Sequence, residues 1–228
     1  MFLLLSHPLD PNGYAWPGEP VVKIKQCTDV NETIPFCSFV SEVPNHFGTH
    51  MDAPRHFLKD GLSINELPIE YFCHTEVALL EIPKGKIEGI RAEDLNPYTN
   101  IIAKCSFILI RTGFEQYRDT NQDMYQNYSP FISKCAGIYL TENFPNLKGI
   151  GVDFLSIGTA SNEIDENDSP IHSHRNLLGF FSGKFVCAIE DMHLSEIPAG
   201  SEIVRFFNLP LKIVGLDSSQ VSCVIETK

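Results

Sequence analysis

The chain has 228 residues, of which 43% are hydrophobic and 20% charged. These are values of an ordinary folded domain and exclude intrinsic disorder, collagen and coiled coil. A formal charge of −12 repels phosphate backbones and anionic lipid surfaces, so neither nucleic acid nor membrane is an expected partner. At roughly 100–200 residues per domain the expected organisation is a single domain over residues 1–228.

In chain order, the opening Met1-Phe2-Leu3-Leu4-Leu5 is apolar but is followed at once by His7, Pro8 and Asp10. It is too short for a signal-peptide core or for a transmembrane helix, which needs about 18 apolar residues, so it reads as a first strand of a cytoplasmic protein. Strands are predicted at residues 2–5, 21–24, 77–82, 107–110, 150–154, 185–189, 211–214 and 221–225, where β-branched and aromatic runs lie between Pro and Gly. Residues 63–71 and 94–98 read as helical turns or loops. The best helical pattern is 133–144: Ile138, Leu140 and Phe144 can share a face, Ser133 can cap the start, and Pro145 discourages continuation. A shorter helical candidate follows His174, and residues 163–168 read as an exposed acidic loop. There is no repeat and no low-complexity linker, so the expected fold class is mixed α/β with several strands and few helices. The seven cysteines are odd in number and form no C-x-x-C pair. They are expected to be reduced thiols, mostly small core residues.

Four residues stand apart. His46, His50, Asp52 and His56 fall within His46-Phe-Gly-Thr-His-Met-Asp-Ala-Pro-Arg-His56, and all occupy even positions. In an extended chain, where side chains alternate, they share one side. A helix would place Asp52 away from His46 and His50, and Pro44, Gly48 and Pro54 oppose a helix. Gly48 and Pro54 lie on the same side and leave room for an ion. Imidazole nitrogen with carboxylate oxygen suits zinc, and also manganese or iron. A lone histidine would ordinarily be a satisfied surface or core residue; four such groups in one short stretch outweigh that reading. The H-E-x-x-H metalloprotease helix is excluded, since Phe-Gly-Thr separates His46 from His50.

The pattern His46-x-Gly48-Thr49-His50-x-Asp52-x-Pro54-x-His56 resembles the signature of the cyclase family of metal-dependent hydrolases, which includes bacterial kynurenine formamidase and isatin hydrolase. Weaker matches follow in order: Ser6-His7-Pro8-Leu9, Trp16-Pro17-Gly18, Gly149-Ile-Gly-Val-Asp153 with Ser156, and His174-Arg-Asn-Leu-Leu178 leading to Ile189-Glu190-Asp191. The resemblance implies a layered β/β/α, swivelling-domain-like fold assembled into homodimers or homotetramers. It implies that His46, His50 and Asp52 hold a first metal, that Asp52 and Glu190 bridge two metals, and that His174 completes the second site. By the same resemblance His56 is the proton donor and acceptor and Trp16 lines the substrate pocket. The implied cofactor is two Zn2+ per subunit, with Mn2+ as the alternative. One departure concerns the sixteen residues from His174 to Glu190, a longer interval than the family's, with residues 180–185 as the insertion. His172 could replace His174 as ligand; the following Leu177-Leu178 favours His174.

The implied activity is hydrolysis of a small amide, with an arylformamide such as N-formylkynurenine as the leading substrate. An isatin-type cyclic amide or lactone hydrolase is the first alternative, and a non-catalytic metal- or ligand-binding protein the second. The unligated His56 favours catalysis. A Ser-His-Asp hydrolase built on Ser156 and Asp153 lacks a G-x-S-x-G elbow, and no glycine-rich nucleotide motif occurs. Asp153 reads either as a partner of a ligating histidine or as a turn residue. His7 reads as a structural hydrogen-bonding residue, and His74 and His193 as ordinary partly exposed ones.

Overall fold

The computed structural model describes residues 1–161, 163–164 and 170–228; the acidic loop expected at 163–168 lies for the most part outside them. The strands are β1 (Phe2–Leu4), β2 (Lys23–Thr28), β3 (Ser38–Glu42), β4 (His50–Asp52), β5 (Cys73–His74), β6 (Val77–Glu81), β7 (Gly89–Ile90), β8 (Phe107–Arg111), β9 (Phe131–Ile132), β10 (Gly149–Val152), β11 (Cys187–Glu190), β12 (Ile203–Pro210) and β13 (Ser218–Thr227). One large mixed sheet has the order β5-β12-β13-β4-β11-β10-β8-β6, with β1 on β13. Strands β6, β8, β10 and β11 run parallel, whereas β4 is antiparallel to both β11 and β13. The sheet curls until β6 returns against β12, which nearly closes it. The remaining pairs are the β2–β3 hairpin and the parallel β7–β9 pair.

Strand β8 shows why the sequence folds this way. Its unbroken apolar run Phe107-Ile-Leu-Ile110 is the pattern of a strand covered on both faces. Phe107 and Leu109 enter an inner core with Met51, Ile189, Phe206 and Val221. Ile108 and Ile110 enter an outer core with Ile150, Val152, Leu140 and Leu177. The outer core is closed by the helices Lys134–Asn143 and Pro170–Leu177. A Cβ on Gly149 would run into the Phe107 ring and one on Gly151 into Met192 Sδ, so two glycines let β10 approach the inner core.

The helix predicted at 133–144 is present, with Ser133 Oγ accepting from the Ala136 amide at its start. The helical candidate expected after His174 lies instead at Pro170–Leu177, with His174 in its last turn. Residues 211–214 are no strand. Strand β12 ends at Pro210, and Gly215, at φ +84°, helps turn the chain toward β13. Of the seven free thiols, Cys105, Cys187 and Cys223 are buried, whereas Cys27, Cys37, Cys73 and Cys135 are exposed, against the expectation of core positions. Among the described residues no helix is long and apolar enough to cross a membrane.

Candidate active site and metal centre

Strand β4 sets the centre. His50 and Asp52, two residues apart, share one side, while Met51 between them faces the inner core. The antiparallel register puts Glu190 of β11 opposite His50 and Ser218 of β13 opposite Asp52. The extended geometry predicted across 46–56 is therefore real only at 50–52, and two turns complete the convergence. Gly48 at φ +65° brings His46 back, where a side chain would press on Leu9, and a 3-10 turn at Pro54–His56 brings back His56.

His46 Nδ1, His50 Nε2 and Asp52 Oδ1 form a triangle with sides of 3.1, 3.3 and 3.5 Å. Donors about 2.0–2.1 Å from a tetrahedral zinc would be about 3.3–3.4 Å apart, so the triangle has the size of one ion. Glu190 extends it. Its Oε2 lies 3.3 Å from His50 Nε2 and its Oε1 3.3 Å from His174 Nε2, and His174 Nε2 is 4.0 Å from Asp52 Oδ2. The carboxylate of Glu190 is fixed by donation from Ser156 Oγ and the Ile157 amide, each at 2.8 Å. Donation from His50 Nδ1–H to the Gly48 carbonyl at 2.8 Å turns Nε2 toward the carboxylates.

Asp52 is fully buried, and neither of its oxygens has a hydrogen bond of good geometry. An ionised carboxylate there requires a compensating cation. Protons fill that role in the metal-free protein. Burial opposes a charge on His46, yet its hydrogen bond to Asp217 and the Asp52 carboxylate 3.1 Å away prevail and hold its pKa at about 10. Burial would raise Glu190, but His174 and His50 outweigh it and keep this carboxyl well below the usual range. A dication fits the same electrostatic demand, and the residues present suit it: imidazoles and carboxylates at ligand spacing with unpaired buried oxygens.

His56 sits beside this group. Its Nδ1 is 2.8 Å from Asp217 Oδ2, an oxygen also 3.0 Å from His46 Nε2. Asn45 Nδ2 donates to the other Asp217 oxygen at 2.6 Å. Asp217 went unread in the sequence, where it carries no spacing signal and lies in a turn ahead of β13. His172 lines the same cavity, with Phe181 near its ring, and reaches neither Asp52 nor Glu190, so of the two histidines it is His174 that joins the carboxylates. The cavity, about 810 Å3, is walled by Trp16, Phe57, Leu155, Ile164 and Ile171 above the histidines.

The remaining candidates resolve as structure. Asp153 accepts from Thr112 and Gly113, which makes it a loop-holding residue after β8. The Ser156 hydroxyl is committed to Glu190. His74 is buried, not partly exposed, with its ring against Phe107 and Phe206 and its nitrogens on Ser106 and Tyr71.

The Cyclase family model matches residues 3–159. An uncharacterized protein of Haemophilus influenzae is 62% identical over 129 residues, covering 57% of this chain and 91% of that protein. A kynurenine formamidase of Sphingopyxis alaskensis is 25% identical over 223 residues, 97% of this chain and 95% of that enzyme. Isatin hydrolase A from Labrenzia aggregata superposes with a TM-score of 0.81 at 22% identity, covering 99% of this chain and 93% of that one, so the two share a fold.

Proposed function

The chain belongs to the Cyclase family, a family of metal-dependent hydrolases, and from that premise we propose that it hydrolyses a small aryl amide, an arylformamide of the N-formylkynurenine type. The observation that carries this reading is the buried Asp52 carboxylate, which accepts no well-formed hydrogen bond and is enclosed by imidazoles at ligand spacing. In the proposal His46, His50 and Asp52 hold one ion, and Asp52, Glu190 and His174 a second. Zinc is the proposed metal at both positions and manganese the alternative. A divalent ion there supplies Lewis acidity, bringing the pKa of water from about 15.7 toward about 7 and polarising a carbonyl.

The chain's own groups do the rest. Asp217 anchors His56 through Nδ1, which leaves Nε2 to exchange a proton with the departing nitrogen, a task suited to an imidazole. Trp16 and Phe57 offer flat aromatic contact for a ring, with Leu155 and Ile171 as apolar wall beside them. The kynurenine formamidase relative supports the arylformamide reading over most of its length. The protein is further proposed to be a cytoplasmic homodimer or homotetramer. Its free thiols suit a reducing compartment, and the β2–β3 hairpin presents Ile24, Phe39 and Val40 to solvent.

The test is a hydrolysis panel of arylformamides, isatins and small lactams, run with zinc and with manganese after chelation. Turnover of arylformamides that chelation abolishes and metal restores is the expected result. Preference for isatins or lactams would move the assignment to the cyclic-amide class. No turnover of any substrate by metal-loaded protein would leave a ligand-binding protein.

A further inference from the structure

We propose that His7, Glu115 and His193 form a further site for one divalent transition-metal ion, separate from the Asp52 centre. His193 Nε2 lies 3.2 Å from Glu115 Oε1, and His7 Nε2 lies 3.9 Å from the same oxygen. One donor atom from each residue fits within a span of 4.8 Å. The first separation already matches two ligands of one zinc, and the second requires His7 to close by about 0.5 Å toward the tetrahedral spacing of about 3.3–3.4 Å. None of the three residues lines the active-site cavity.

The site is built rather than incidental. Glu115 is held by donation from the Ser195 amide to Oε2 at 2.9 Å and from the Ser195 hydroxyl to Oε1 at 3.0 Å. The rings of His7 and His193 stack with centroids 4.6 Å apart. The His7 side chain is 6% exposed, and among the described residues its buried Nε2 has no hydrogen-bond partner. An ordinary ion pair between His193 and Glu115 would explain two of the three groups and leave that nitrogen orphaned; an ion satisfies all three. Two imidazoles with one carboxylate make a zinc-class donor set.

The location suggests a brace. The His7 amide donates to Thr49 Oγ1 at 3.0 Å, and that hydroxyl donates to the Asp191 carbonyl at 2.5 Å. Thr49 precedes His50 and Asp191 follows Glu190, so an ion on His7 and His193 pins together the two segments that carry the catalytic centre.

Equilibrium dialysis against zinc followed by metal analysis tests this on the full chain. The parent is expected to hold one more zinc per chain than His193→Ala, whose side chain is partly exposed and whose loss leaves the core intact. Asp52→Asn should lose zinc independently, so the two sites subtract separately and the count stands whether or not an amide is hydrolysed. Zinc-dependent 15N shifts of the His7 and His193 rings in the parent give a second readout. Equal zinc content in parent and His193→Ala, or rings that do not respond to zinc, would overturn the proposal.

Discussion

Asp217 accepts from two imidazoles through one oxygen while Asn45 holds the other, so a single carboxylate orients both His46 and His56. His56 is the one of the pair without a close approach to Glu190 or His50, and its assigned task is proton transfer. His56→Ala is therefore expected to keep its bound metal and lose about 10²–10⁴-fold in kcat. A variant as active as the parent would remove the role. Asp217→Asn should act through orientation: an amide oxygen can accept, but it cannot offset an imidazolium. The expected loss is about 10–100-fold in activity with much weaker metal binding than the His56 variant shows, read by metal analysis alongside kinetics.

At the scale of elements, the end of β11 is where packing and chemistry meet. Asp191, next after Glu190, adopts φ +53° and is fully buried. Arg118 forks onto its carboxylate, Nε to Oδ1 at 2.8 Å and Nη2 to Oδ2 at 3.0 Å, and the Tyr125 hydroxyl donates to Oδ1 at 2.6 Å. Asp191→Ala strands a buried guanidinium, with an expected cost of about 3–5 kcal/mol in urea unfolding. A cost near that of a surface substitution would show that Arg118 finds water instead. On the neighbouring strand β10, where Gly151 is in register with Ile189, Gly151→Ala drives a methyl into Met192 and Leu109, with an expected cost of about 1–3 kcal/mol and a lowered Tm. What was legible in the sequence follows from range. His46 to His56 announce themselves because their spacing is local, and Phe107–Ile110 because apolar runs mark covered strands. Asp217 meets His46 across 171 residues of chain, and nothing near it signals that contact. Ser218, Ser219 and Gln220 hid the start of β13, since polar residues seldom advertise a strand pressed between neighbours.

For the molecule as a whole, the buried histidines divide into two classes with opposite pH signatures. His46 is held at about 10 by its carboxylates, so in metal-free protein its contribution is fully present below about pH 6.5 and lost as pH rises through the folded value. His74 has the reverse sign. Burial between Phe107 and Phe206 lowers its pKa to about 4. The unfolded chain takes up a proton below about 6.5 that the folded chain refuses, so stability falls as pH drops from about 6.5 toward about 4 and then levels off. The full effect is on the order of 3 kcal/mol. Other groups that titrate between pH 6.5 and 5 do so in parent and variant alike, so the difference between the two isolates the His74 ring. His74→Gln retains a donor for the Tyr71 carbonyl and an acceptor for Ser106 without a titratable ring. Urea unfolding of metal-free protein across that window is expected to show the parent losing stability more steeply than His74→Gln. His7, whose pKa burial likewise lowers to about 4, adds a slope of the same sign that the variant retains. Parallel slopes for parent and variant would mean that His74 takes a proton in the folded state.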